Sequence, residues 1–521
     1  MKQTTAKTTT TKTVKPAASA AKPATGTKPV PSAKPTASAK PTAAIPEKKI
    51  KVLFATTEAF PFAGTGGLGE VVGSLPKALN RLGVDARVIM PLYGSIPRKY
   101  RDKMQYIGNM RVWVGWRNQY CGVFRIDNDG VTTYFVDNEQ YFLRDSIYGQ
   151  HDDGERFTFF SRAVLECIPM LDFTPDIIHS NDHATALIPT FYKACYALMY
   201  GHTGIKNVFT VHNLEYQGCY PPHILGDVMG LGEDMRGVVD FNCQVNCVKS
   251  AIESADSVTT VSPTYAEEIL RPDRAFGLSD ILNRNRSKLV GILNGVNVEE
   301  YDPETSPFIA KNFNAEDPSG KAECKRALKK ELGLEGDRPI IAVISRLAGH
   351  KGLDLVKGAL CRNSYAFENA DLVVLGTGER YLEDFFRYHA SCHANSRALI
   401  TFDKSLAQRI YAGADIFLMP SATEPCGLSQ MMACRYGTIP IVRKTGGLAD
   451  SIKDCRAGGG NGFVFEDYTV EALEATVADA VRMYGDKTEW SALMQRAFAC
   501  DFSWNASARK YLELYKDLLK K

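Results

Sequence analysis

From Ile50 onward the chain repeats one pattern. A short unbroken apolar run is followed by a polar or glycine-bearing turn, then by a longer stretch with apolar residues at helical spacing. "KKIKVLFATT" is the first such run. Strands covered on both faces are continuous apolar runs rather than alternating ones, so the pattern predicts a buried parallel strand. A glycine turn follows, then a helix ending near Leu82 and Gly83. "ARVIMPLY", "PDIIHSND", "KNVFTVHN" and "ADSVTTVSP" repeat the strand signal, with helical stretches such as "ALIPTFYKACYALMYG" between them. The second half restarts with the strand "RPIIAVISR" and the helix "GLDLVKGAL". It continues through the strands "ADLVVLGTGE", "ALITFD", "ADIFLMPS" and "TIPIVRK". This alternation predicts an α/β chain with two doubly wound, Rossmann-like parallel sheets. Between the halves, "YDPETSPFIAKNFNAEDPSG" reads as a linker or long surface loop. Ligands of such sheets bind at the carboxyl ends of strands, so chemistry is expected just after each apolar run.

Residues 1–48 break the pattern. They are built of Lys, Thr, Ala, Pro and Ser, with no Asp or Glu before Glu47 and little to bury. Such a segment cannot offset its ordering entropy, and a disordered tail is expected. The net charge of +3 owes much to that tail and gives no nucleic-acid signature. The 13 cysteines are dispersed without zinc-ligand spacing, which fits a reducing compartment. No apolar run approaches the ~18–20 residues of a membrane span. The expectation is a cytoplasmic protein without membrane or nucleic-acid partners and without a metal site.

The residues that follow the strands carry the candidate chemistry. Gly64, Gly66 and Gly67 form a glycine turn before a helix, as in a phosphate cradle, but no cation stands among them. Asp182 and His212 close two later strands. Arg346 and Lys351 are five apart across a glycine-bearing loop. Two cations there suit a diphosphate, the guanidinium chelating oxygens and the ammonium acting as a point charge. Taken alone, they read first as a surface basic pair. Glu424 precedes "PCGLSQMMACRYG", which reads as a helix, so a carboxylate and free helix N–H groups are expected at one spot.

Several longer blocks occur in order: "TGGLGEVVGSLPKAL", "VFTVHNLEYQG", "TVSPTYAEEI", "GILNGVNVEEYDP", "SRLAGHKGLDL", "EPCGLSQMMACRYGTIPIVRKTGGLADSI", "GFVFED" and "DFSW". Together they resemble the bacterial glycogen synthases and plant starch synthases, from about Lys51 to the C-terminus. The resemblance implies a GT-B fold with two Rossmann-like domains facing across a cleft and a C-terminal helix crossing back. It implies an N-terminal domain over 49–297, a linker and connecting helix over 298–335, a nucleotide-sugar-binding domain over 336–500 and the returning helix over 501–521. The implied reaction is retaining transfer of glucose from ADP-glucose to the non-reducing end of an α-1,4-glucan such as glycogen or starch, with no cofactor or metal. Carried over by position, Arg346 and Lys351 meet the donor diphosphate. Glu424, His212 and Asp182 line the glucosyl site. Gly64, Gly66, Gly67, Phe402, Cys426, Gly427, Thr445 and Gly446 fall on the donor side, with Phe402 against the nucleobase. Asn213, Tyr216 and Gln217 fall on the acceptor and glucosyl side. Oligomeric state stays open.

The chain departs from the family pattern at three places. Gly64 stands where lysine opens the "KTGG" loop. Asn181-Asp182-His183-Ala184 stands for "NDWH", and Ala422 replaces a common Arg. These departures keep two alternatives in view, a UDP-glucose-preferring α-glucan synthase and a catalytically weak glucan-binding paralogue. A sucrose- or lipid-type transferase is disfavoured at Met432, where many such enzymes carry a second Glu. With Gly64 neutral, the neutralising charge is expected from Arg346 and Lys351.

Overall fold

A computed structural model describes residues 49–199 and 201–521; the expected tail lies outside them. Two sheets organise the described chain. The first has nine strands. Its order is Leu289–Gly291, Ser257–Thr260, Lys206–Val211, Ile177–Asn181, Lys51–Ala55, Asp85–Pro91, Val131–Asp137, Arg117–Asn128 and Gln105–Val114. The second has six parallel strands: Ser396–Leu399, Asp371–Leu375, Ile340–Ile344, Ile416–Met419, Ile439–Arg443 and Phe463–Phe465. The apolar runs are the central strands, as expected. Val52, Leu53, Phe54 and Ala55, like Ile340 to Val343, are almost fully buried. Each such large side chain contributes ~1.5–3 kcal/mol.

The structure departs from the sequence expectation in four places. The last two strands of the first sheet, Arg117–Asn128 and Gln105–Val114, are antiparallel, so this sheet is mixed. Their outer face is solvated and carries no long apolar run, which removes the signal that marked the parallel strands. The helix read in "ALIPTFYKACYALMYG" is a short helix, Leu187–Phe191, running into a π-helical turn, Tyr192–Tyr196. The strand in "ALITFD" ends at Leu399, leaving Phe402 in a loop. The helix after "EPCG" starts only at Ser429. Glu424 therefore stands in the preceding loop and not at that helix's N-terminus.

The C-terminal helix Trp504–Lys520 crosses back to the first sheet and packs against helix Gly67–Arg81. Buried His179 fixes it there: Nδ1 lies 2.7 Å from the Tyr515 hydroxyl. Helix Ser319–Leu332, in the stretch between the halves, packs on helix Lys404–Gly413 beside the second sheet.

Candidate active site

Strand order explains where the site forms. In the first sheet the chain winds outward in both directions from Lys51–Ala55 and Ile177–Asn181. In the second it does so from Ile340–Ile344 and Ile416–Met419. Loops leaving such a pair diverge and open a crevice. The glycine loop, Asp182, Arg346, Lys351 and Glu424 all follow these four strands.

On the first side, the glycine loop is anchored by an acid. Buried Glu58 accepts the Thr65 N–H (2.6 Å), the Thr65 hydroxyl (3.0 Å) and the Tyr148 hydroxyl (2.7 Å). The Phe60 N–H donates to the Gly69 carbonyl (3.0 Å) and closes the loop at its base. Gly66 and Gly67 face open space. Asp182 has φ 57° and ψ −179°, a region that costs a non-glycine residue ~1–3 kcal/mol and that marks functional sites. Its carboxylate accepts the His212 N–H (2.7 Å). Burial pushes its pKa up to about 7, against the pull of the His212 and Asn213 amides.

This raised value has a stability consequence. The folded-state value exceeds the unfolded ~3.9, so stability from this carboxyl is full below about pH 4 and is lost as pH rises through about 7. Asp182→Asn is therefore expected to melt above the wild type at pH 8, with a narrower gap at pH 5. Equal gaps at the two pH values would contradict the assignment.

His212 is held neutral, its pKa lowered by burial to about 3. Asn181 fixes its tautomer. The Asn181 amide donates to the carbonyls of Ala55 and His179, both at 3.1 Å, so its Oδ1 must accept. His212 Nε2, 3.0 Å from that oxygen, therefore carries the proton. Nδ1 is left as an acceptor suited to a sugar hydroxyl.

On the second side, Glu424 is almost buried, with Lys351 Nζ 2.6 Å and the Ser421 hydroxyl 3.0 Å from its Oε2. Arg346 is exposed and makes no ion pair among the described residues. The His350 pKa is lowered, first by burial and then by Lys351 and Arg346. Glu424 and Glu215 oppose that shift, and Glu215 belongs to the loop after Lys206–Val211 on the other side. Gly427 turns the chain with φ +70°. Cys426 is buried against Asn294, its thiol pushed up to about 12, so it stays protonated.

The two sides are pinned together by side chains of the first half. The Ser262 hydroxyl donates to the Pro425 carbonyl (2.7 Å), and Thr264 binds Asp450 through its N–H and hydroxyl. Glu268 accepts the Thr445 hydroxyl and the Gly446 N–H, each at 3.0 Å. Thr445 and Gly446 thus face the first half's helix Pro263–Glu268. Gln217 is also engaged, donating to the Leu214 and Phe276 carbonyls and accepting from Asn246. Asn213 accepts the Glu215 N–H. Tyr216 and Phe402 are exposed, Phe402 by 82%.

The comparisons follow the same division. The family described as starch synthase catalytic domain matches residues 51–284, and that of glycosyl transferases group 1 matches 325–492. A glycogen synthase of Anoxybacillus flavithermus is 45% identical over 477 residues, covering 90% of this chain and 98% of the relative. One of Desulforamulus reducens is 46% identical, covering 90% and 99%. The chain belongs to the glycogen synthase family. The catalytic domain of starch synthase IV from Arabidopsis thaliana, bound to ADP and acarbose, superposes with a TM-score of 0.83 at 35% identity, covering 91% of this chain and 100% of that one. A sucrose-phosphate synthase from Thermosynechococcus elongatus, with a TM-score of 0.59 at 15% identity, shares the fold. The fold is GT-B and the protein is a glycosyltransferase of glycogen and starch synthase type. Among the described residues no helix is long and apolar enough to cross a membrane.

Several residues of this family member's site went unread in the sequence. Glu58 is the one carboxylate directly after the first strand, and that position was a usable signal. Ser421 lies three residues before Glu424, close enough to be read with it, whereas Tyr148 and Glu268 gave no signal because their partners lie far along the chain.

Proposed function

We propose that this chain elongates an α-1,4-glucan with glucose from ADP-glucose, retaining the anomeric configuration, in a cytoplasmic setting. The observation that carries the reading is the Lys351–Glu424–Ser421 cluster at one switch point, with neutral His212 and strained Asp182 at the other. Arg346 and Lys351 neutralise the departing diphosphate as the glucosyl C1–O bond breaks. Donors aimed at developing charge are usually the largest catalytic contribution. The acceptor hydroxyl attacks C1 and its proton passes to the leaving phosphate oxygen. Glu424 orients Lys351 and balances positive charge at C1. His212 Nδ1 accepts a glucosyl hydroxyl, and exposed Phe402 offers its face to the adenine. ADP in the bound starch synthase IV and the glycogen synthase relatives support this donor and acceptor.

Labelled ADP-glucose and, separately, UDP-glucose supplied with glycogen test the reading. Incorporation is expected from ADP-glucose, unchanged by EDTA because side-chain cations carry the leaving-group charge. Preference for UDP-glucose would replace the donor assignment. No transfer from either donor by folded protein would sink it.

A further inference from the structure

One cation reaches the glycine-loop segment from the second half of the chain, and it is neither Arg346 nor Lys351. Lys404 Nζ lies 3.2 Å from Glu70 Oε1, 3.0 Å from Glu300 Oε1 and 5.1 Å from the centre of the Phe60 ring. Phe60 and Glu70 flank the loop on its two sides. The Phe60 ring lies directly under the loop, since a Cβ on Gly64 would stand 3.0 Å from two of its carbons. Lys404 therefore lies against the same ring that underlies Gly64.

Local structure does not account for this lysine. It is the first residue of helix Lys404–Gly413, whose N-terminus Asp403 caps by accepting the N–H groups of Ser405 and Leu406. A cation at the positive end of a helix dipole is unfavourable. Its surroundings do account for it. Glu58 beneath the loop, Glu70 and Glu300 put three carboxylates around a loop that has no cation of its own. An incoming anion would be repelled without a positive charge there. Exposed Phe402, two residues earlier, belongs to the same turn.

We propose that Lys404 is a donor-binding cation: it exchanges from Glu70 and Glu300 to the diphosphate of the nucleotide sugar on the glycine-loop side of the site. Arg346 and Lys351 then hold the diphosphate from the opposite side. This rests on the nucleotide-diphosphate-sugar reading above and adds to it a residue and a competition. Glu300 draws Lys404 away from the donor, so removing its charge strengthens donor binding.

The competition gives variants of opposite sign. ADP is titrated by calorimetry into the full chain, and thermal melts are taken beside it. Lys404→Gln is expected to weaken ADP binding about tenfold or more, as for a lost hydrogen bond to a charged group. Lys404→Arg is expected to restore most of it, and Glu300→Gln to bind ADP more tightly than the wild type. If Lys404 is only a clamp between the two halves, Lys404→Gln and Glu300→Gln weaken binding and lower the melting temperature together, and the proposal falls. It falls also if Lys404→Gln binds ADP as the wild type does. Wild-type transfer from ADP-glucose, measured in parallel, tests the donor reading separately. Should UDP be the nucleotide bound, the same variants are judged with UDP. Wild type that binds neither nucleotide overturns both ideas.

Discussion

Lys351→Met is expected to lower kcat by about 10²–10³, the usual cost of removing one preorganised charge from a transition state. The Lys351 ammonium is 2.6 Å from Glu424 Oε2, and both side chains are largely out of water, 17% and 8% exposed. Each therefore holds the other. Removing the lysine alone strands a nearly buried carboxylate, which destabilises by ~3–5 kcal/mol in the fully buried limit. Lost activity could then reflect lost structure. The double variant Lys351→Met, Glu424→Gln separates the two effects, because it leaves no unpaired charge. It is expected to melt close to the wild type while staying at or below the activity of the single variant. Recovery of kcat in the double variant would show that the pair is structural.

The second large effect is expected at Gly446, which touches no proposed reacting atom. Its φ is +42°, and a Cβ there would stand 2.0 Å from the Glu424 carbonyl oxygen. Neighbouring Gly447 is as tight, its Cβ position 2.2 Å from the Cys426 carbonyl oxygen. The loop carrying Glu424 therefore lies directly on the backbone of the "TGG" turn, and Gly447 donates its N–H to Glu424 O (3.2 Å). Gly446→Ala must push this loop away. Overpacking against backbone together with a strained φ is expected to cost about 2–4 kcal/mol. Because displacement of about 1 Å can cost a hundredfold in rate, kcat should fall by that order as well. Thermal melts and initial rates measure both. A Gly446→Ala variant that melts and turns over like the wild type would show that the loop is not seated as described.

Much of this site was legible in the chain. Apolar runs marked the parallel strands, and the candidate residues read after them do sit at the strands' carboxyl ends. Asp182, Arg346, Lys351 and Glu424 follow central strands, and His212 follows the neighbouring strand Lys206–Val211. The antiparallel strands at 105–128 were missed because one solvated face breaks the apolar run. The resemblance puts Thr445 and Gly446 on the donor side, but in the structure both bind Glu268, 178 residues before Gly446. The sequence points to Arg346 and Lys351 for the charge that neutralises the phosphate. The cation against the loop segment is Lys404, 334 residues from its partner Glu70.

The division has a physical cause. Burial is a property of each residue, so hydrophobic spacing along the chain determined which segments are strands, which are helices and where the loops between them fall. Strand order and the pairing of charges are properties of two residues at once, and nothing in the local spacing of one names the other. Only the tertiary structure decided that the four central strands lie at switch points, that Glu58 anchors the glycine loop and that Lys404, on a helix beside the other sheet, meets Glu70 and the Phe60 ring that flank it.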